Sequence, residues 1–149
     1  MTFFLFKLGL LAFWGMWFSI AFFTNLCEGF EALRVLPKMW PFASRNLRGI
    51  TQAIKTYSAS QWLPRLLFCG VLFWQFLTAV LFGCAIIMSV TNGALHAGLV
   101  NAAYLAGLSL WIGFVIADEM LKLYEAEHSH VLFFMAQLVS FIALYVLPL

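Results

Sequence analysis

The polar residues of this sequence that could do chemistry are few, and they fall at the ends of long apolar runs. Asn25 and Glu28 stand one helical turn apart, and Asp118 and Glu119 are adjacent, with Glu125 and Glu127 close behind. A charged group drawn into hydrocarbon costs about 2.5–3.5 kcal/mol on insertion scales. Such residues therefore face a helix bundle, pair, or reach the membrane surface. Asn25, Glu28, Asp118 and Glu119 would together suit an ion or proton port. The plainer alternative is a wet helix end carrying ordinary surface acids. Lys122, four residues after Asp118, is placed to pair with it. His128 and His130 join Glu125 and Glu127 as possible metal ligands. Their spacing specifies no geometry, so the segment reads as an interfacial loop and no metal site is assigned. His96 belongs to the opposite side. No histidine sits mid-span, which disfavours a haem held between two spans by paired axial histidines.

A second group is aromatic and amide-bearing. Trp17, Trp74 and Trp111 lie a few residues from the centres of their apolar runs rather than at the ends, where tryptophan usually anchors. Gln75 and Gln137 fall at about the same depth. Together they could line a flat apolar pocket with a polar handle for a quinone, a lipid or another planar ligand. Alternatively, the amides and indole N–H groups bond one another and join the helices, at about 0.6 kcal/mol per bond. On either reading both amides should point into the protein.

The elements that position these residues follow from composition. Of the 149 residues 64% are hydrophobic and only 9% charged, with a mean hydropathy of +0.98. So little charge cannot cover a soluble surface. A membrane-crossing helix needs about 20 apolar residues. Four stretches qualify: residues 3–26, 64–90, 95–120 and 131–147. Open sheets would leave backbone groups unpaired in lipid, so the expected fold is all-α, a single antiparallel four-span bundle. The first stretch is not read as a cleaved signal, because Lys7 interrupts a run that is too long and no small-x-small site follows. Cys27, Cys69 and Cys84 form no C-x-x-C pair, and Cys69 and Cys84 would lie about 20 Å apart on one helix. They are read as apolar packing residues.

The long connection, residues 27–63, holds Arg34, Lys38, Arg45, Arg48 and Lys55 against Glu28 and Glu31, and Arg65 borders it. Part of it has helical periodicity. Leu47, Ile50, Ile54 and Tyr57 recur on one side, Arg45, Arg48 and Lys55 on the other, and Ser44 could cap it. Such a helix can lie in the interface with its cations on anionic head groups; a solvated loop helix is the alternative. Pro37 and Pro41 break the chain before it, and Trp40 and Trp62 suit anchoring at its flanks. In the third stretch Gly98, Ala102, Ala106, Ser109, Gly113 and Ala117 form a line of small residues where helix backbones could approach. Ala79, Gly83, Ala136 and Ser140 could face it.

Three patches carry a family resemblance: Phe23-Thr24-Asn25-Leu26, Phe73-Trp74-Gln75-Phe76-Leu77-Thr78-Ala79-Val80-Leu81, and Leu110-Trp111-Ile112-Gly113-Phe114 running to Asp118-Glu119. They resemble an uncharacterised bacterial family of predicted small integral membrane proteins, a domain of unknown function. The resemblance implies four spans with a long first loop, and it implies no activity, substrate or cofactor. Members often carry Glu where this chain has Gln75. They also place their basic residues between the second and third spans, where this chain is neutral.

The expected function is that of a non-enzymatic accessory or subunit protein of a bacterial inner membrane complex. The alternatives are a small carrier or channel-like protein using the acidic port, and a quinone- or lipid-binding redox helper using the Trp and Gln layer. Expected partners are membrane lipid and other membrane subunits or a second copy. A net charge of +2 is too small to indicate nucleic acid, and no cofactor is assigned. Positive residues favour the cytoplasm, so the long loop should lie inside the cell and both termini outside. In a background without native cysteines, Ser58→Cys should resist an impermeant maleimide applied to intact cells while Thr91→Cys is labelled. The reverse pattern would establish the opposite orientation.

Overall fold

The computed structural model describes residues 2–55, 57, 60 and 62–147. Ser58 lies outside this set, as does the side chain of Glu125. The described residues form five helices and no strand: α1 (Thr2–Ala32), α2 (Asn46–Lys55), α3 (Leu63–Asn92), α4 (Ala97–Leu121) and α5 (Tyr124–Val146). All but α2 are long and apolar enough to cross a membrane. Their outward faces carry Phe6, Phe13, Met16 and Ile20 on α1, Phe73 and Ile87 on α3, and Val139 and Val146 on α5. Water would not tolerate so much contiguous apolar surface.

Each helix ends for a local reason. Arg34, at φ 62°, closes α1: its N–H and that of Val35 return to the carbonyls of Glu31 and Phe30. Lys122, at φ 56°, does the same for α4, with Leu123 N donating to Asp118 O at 2.8 Å. Both are the left-handed closing turn that satisfies orphan carbonyls. Gly93, at φ 65°, closes α3, and Pro64 fits its first turn, where no N–H is needed. At α4, His96 Nδ1 accepts from Leu99 N at 3.3 Å. At the far end of the chain, Lys7 is 2% exposed and donates from Nζ to Leu147 O at 2.9 Å. A cation at the carbonyl end of α5 complements its dipole, which gives the one charge in the first apolar run a partner.

The turn between α4 and α5 is only Lys122 and Leu123. The segment 124–130, expected from the sequence to be loop, is therefore helical and carries His128 and His130 on α5. Its residues contain no glycine or proline to stop the helix.

Helices α1, α3 and α4 pack through rings. Phe18 lies 6.0 Å from Phe82 and 5.7 Å from Trp111, and Phe82 lies 5.2 Å from Tyr104. Tyr104 meets Phe141 of α5 at 5.1 Å, and Trp111 stacks on Phe133 at 5.2 Å. In lipid there is no hydrophobic force between helices, so such dispersion and ring contacts carry the association.

Close approach occurs at two glycines. A Cβ on Gly15 would sit 3.1 Å from Phe82 Cβ, and one on Gly107 would overlap the side-chain amide of Gln137. This corrects the expected seam. Gly113 is exposed, and a methyl group added to it would meet nothing within 4 Å; one added to the half-buried Gly83 would likewise meet nothing. Ala136 is exposed as well. The line from Gly98 to Gly113 drifts around the helix by about 60°, because 3.6 residues rather than four make a turn. Of the expected line Ala106 is buried, but the buried face of α4 is otherwise Val100, Ala103, Tyr104, Gly107, Leu110, Trp111 and Asp118. Gly107→Ala should therefore cost about 1–3 kcal/mol by overpacking, seen as a lowered Tm in mild detergent, whereas Gly113→Ala should leave Tm unchanged or raise it slightly through helix propensity. Equal effects would show that Gly107 is not a packing position.

Candidate functional site

The densest polar cluster among the described residues is built on one face of the last turns of α1. Asn25, Glu28 and Glu31 recur every three residues, so they project together, and they are 1%, 2% and 8% exposed. What faces them is the incoming end of α2. Glu28 Oε2 accepts from Leu47 N at 2.9 Å and its Oε1 accepts from Arg48 N at 3.2 Å. Those two N–H groups belong to the first turn of α2, where no intrahelical carbonyl is available. Glu28 thus does for α2, from another helix, what a capping side chain usually does from the same chain segment. Its charge also suits the positive end of the helix dipole.

Ser44, expected to cap α2, takes a different part. Its Oγ accepts from Asn46 N at 3.3 Å and lies 2.5 Å from Asn25 Oδ1 and 2.7 Å from Glu28 Oε2. Ser44 N donates to Thr24 O at 3.2 Å, which fixes the loop to α1. Asn46 Nδ2 donates to Asn25 Oδ1 at 2.8 Å, and Asn25 Nδ2 donates to Gln75 Oε1 of α3 at 2.8 Å. One turn on, Glu31 Oε1 accepts from Met39 N at 2.9 Å and forms an ion pair with the Arg48 guanidinium. Met39 and Arg45 adopt positive φ (62° and 69°), bends that bring the loop back over α1. The cluster therefore joins α1, the long loop, α2 and α3.

The other expected site residues are dispersed. Asp118 is 6% exposed and pairs with His130, not with Lys122, which stands at the left-handed turn. The reason is the short turn: with α5 helical from Tyr124, His130 is carried back along α4 to Asp118. The His130 ring stacks on Phe114 at 4.8 Å and lies 6.0 Å from Trp111. Glu119 is exposed. Among the described residues no hydrogen bond links Asn25 and Glu28 to Asp118 and Glu119, so the two halves of the port remain separate clusters. Among those residues, too, no three His, Cys, Asp or Glu side chains converge as metal ligands.

The tryptophan and glutamine layer is likewise divided. Both amides are buried, Gln75 at 5% and Gln137 at 0% exposure. Gln75 is bonded to Asn25 and belongs to the α1 cluster. Trp74 Nε1 donates to Ala106 O of α4 at 2.9 Å, while Trp17 packs on Phe133 at 4.6 Å. Trp111 is buried, and neither its Nε1 nor the Gln137 amide atoms have a partner among the described residues. Trp14, absent from the expected layer, is 1% exposed with an equally unpartnered Nε1. The expected surface cations Arg45, Arg48 and Lys55 are all exposed, and Arg48 is tied to Glu31. Leu47 is half-buried, Ile54 is buried, and Tyr57 Oη donates to Met120 O of α4 at 2.9 Å.

The sequence marks Glu31 only as a loop charge and His130 only as part of a loop. The three-residue spacing of Asn25, Glu28 and Glu31 is a readable signal for the first. Nothing local signals the second.

Comparison with family models, with curated proteins and with solved structures returned no match. The family resemblance therefore has no support from these comparisons.

Replacing a cap typically costs about 0.5–2 kcal/mol. Glu28→Ala should therefore raise amide hydrogen exchange at Leu47 and Arg48 well above its value in the parent protein, with α3 and α4 unaffected. Unchanged protection at these two amides would show that Glu28 does not hold α2.

Proposed function

We propose that this chain is a non-enzymatic accessory or subunit protein of a bacterial inner membrane complex. It crosses the bilayer four times as an antiparallel bundle, with α2 lying in the cytoplasmic interface. The observation that carries this reading is the use made of the buried carboxylates. Glu28 holds the N–H groups of α2, Glu31 holds Arg48 and the loop at Met39, and Asp118 holds His130. Each of these acids is committed to joining elements. The antiparallel reading is supported by the order of contacts, with Gly15 beside Phe82 and Gly29 beside Phe68. The interfacial reading of α2 is supported by its buried Ile54, its exposed Lys55 and the exposed Trp62 that follows. The separation of Glu28 from Asp118 weighs against a carrier that would pass an ion between them.

The test is isolation from its native membrane in mild detergent, with reciprocal tagging and cross-linking mass spectrometry. A membrane partner recovered at fixed stoichiometry from either tag is the expected result. A chain that purifies alone and conducts protons or ions in vesicles, with conduction lost in Asp118→Asn, would overturn it in favour of the carrier.

A further inference from the structure

Between α2, the last turn of α1 and the first turn of α3 runs a cleft of about 890 Å³, within the size range of small-molecule sites. Its lining is divided by chemistry. Ile54 and Pro64, both buried, and Leu47 give it an apolar side, while Arg48, Lys55 and Arg65 bring positive charge. The acids that could neutralise this face are already engaged: Glu31 balances Arg48, and Glu28 is spent on the N–H groups of α2. Lys55 and Arg65 are exposed, and no ion pair engages either among the described residues. Arg48 also lines a neighbouring cleft of about 620 Å³ that carries Arg34 and Lys38, so the positive field extends beyond one pocket. Arg65 stands in the first turn of α3, beside the exposed Trp62, at the level where an apolar helix enters hydrocarbon. The N-terminal end of α3 adds its own positive dipole there.

We propose that this cleft is a binding site for an anionic phospholipid, its phosphate held by Lys55 and Arg65 and its glycerol region against Ile54 and Pro64. The site rests on the interfacial placement of α2 proposed above, and it adds selectivity for headgroup charge. A zwitterionic lipid offers the same phosphate with a compensating cation, which Lys55 and Arg65 would repel. Basic side chains near a membrane surface each contribute about fivefold in binding an anionic lipid.

The experiment is native mass spectrometry of the full chain with phosphatidylglycerol or phosphatidylcholine added in detergent. The parent protein should retain phosphatidylglycerol preferentially. Lys55→Gln with Arg65→Gln should remove that preference, whereas Lys122→Gln, a loss of charge at the α4–α5 turn and not in the lining of the cleft, should keep it. Inorganic phosphate in excess should not displace the lipid. Preference retained in the double variant, lost equally in Lys122→Gln, or abolished by inorganic phosphate would each overturn the site. A spin label at Gly49, an exposed position of α2 outside the lining of the cleft, in phosphatidylglycerol vesicles separates the two levels. A label at headgroup depth with no lipid preference refutes the cleft alone, and a label fully in water refutes the interfacial placement of α2.

Discussion

Two hydrogen bonds from the start of α2 to the Glu28 carboxylate determine how the long connection between the first two spans is arranged. A ten-residue helix is marginal by itself, since nucleation fixes several residues for each bond gained. Its first N–H groups must also be satisfied. Glu28 supplies that acceptor from α1, and because it does so the loop must fold back across the end of the bundle. Ser44, Asn46 and Asn25 then close the remaining polar valences, and Gln75 extends the network into α3. Burying the carboxylate is expensive only if its lone pairs go unused. Here N–H and hydroxyl groups converge on them, so the cost is offset and the geometry becomes specific.

The same logic recurs at several polar groups that enter the apolar part of the molecule. Lys7 meets the carbonyl end of α5, Asp118 meets His130, and the Trp74 indole meets the Ala106 carbonyl. Each contact joins elements distant in sequence or closes a helix end. Between these polar contacts the helices are held by rings and by close approach. Gly107 admits the Gln137 side chain, and Gly15 lets α1 lie against Phe82. A bilayer offers the helices no hydrophobic reason to associate, so fit and polar pairing must supply what water would supply in a soluble bundle.

These arrangements bear on function through charge. With Glu28 and Glu31 turned inward, the surface of the loop is left to Arg34, Lys38, Arg45, Lys55 and Arg65. The excess of base over acid in the segment becomes larger at its surface once folded. Asn25 and Glu28, which in sequence suggest half of a port, are the means by which that face is built.

The sequence by itself determined that the chain is helical and that four segments are apolar enough to cross a membrane. Lipid cannot hydrogen-bond backbone, and a run of some 20 apolar residues with one or no charge has few other ways to fold. It also determined that Gln75 and Gln137 would point inward, away from hydrocarbon that cannot hydrogen-bond an amide, although only Gln75 finds a partner among the described residues, and that residues 47–54 would be helical. Tertiary structure decided which partner each polar group found. Asp118 had Lys122 one turn away, yet the left-handed turn at Lys122 and the early start of α5 gave it His130. Gln75 and Gln137 stood at one depth in the sequence, but they lie on helices with different neighbours. One joined Asn25, and the other packed against Gly107. Small residues at four-residue spacing marked α4 as a packing helix without fixing its rotation, because the spacing drifts from the 3.6-residue turn. That rotation was set by the bulky side chains of α1, α3 and α5, which the sequence of α4 does not contain.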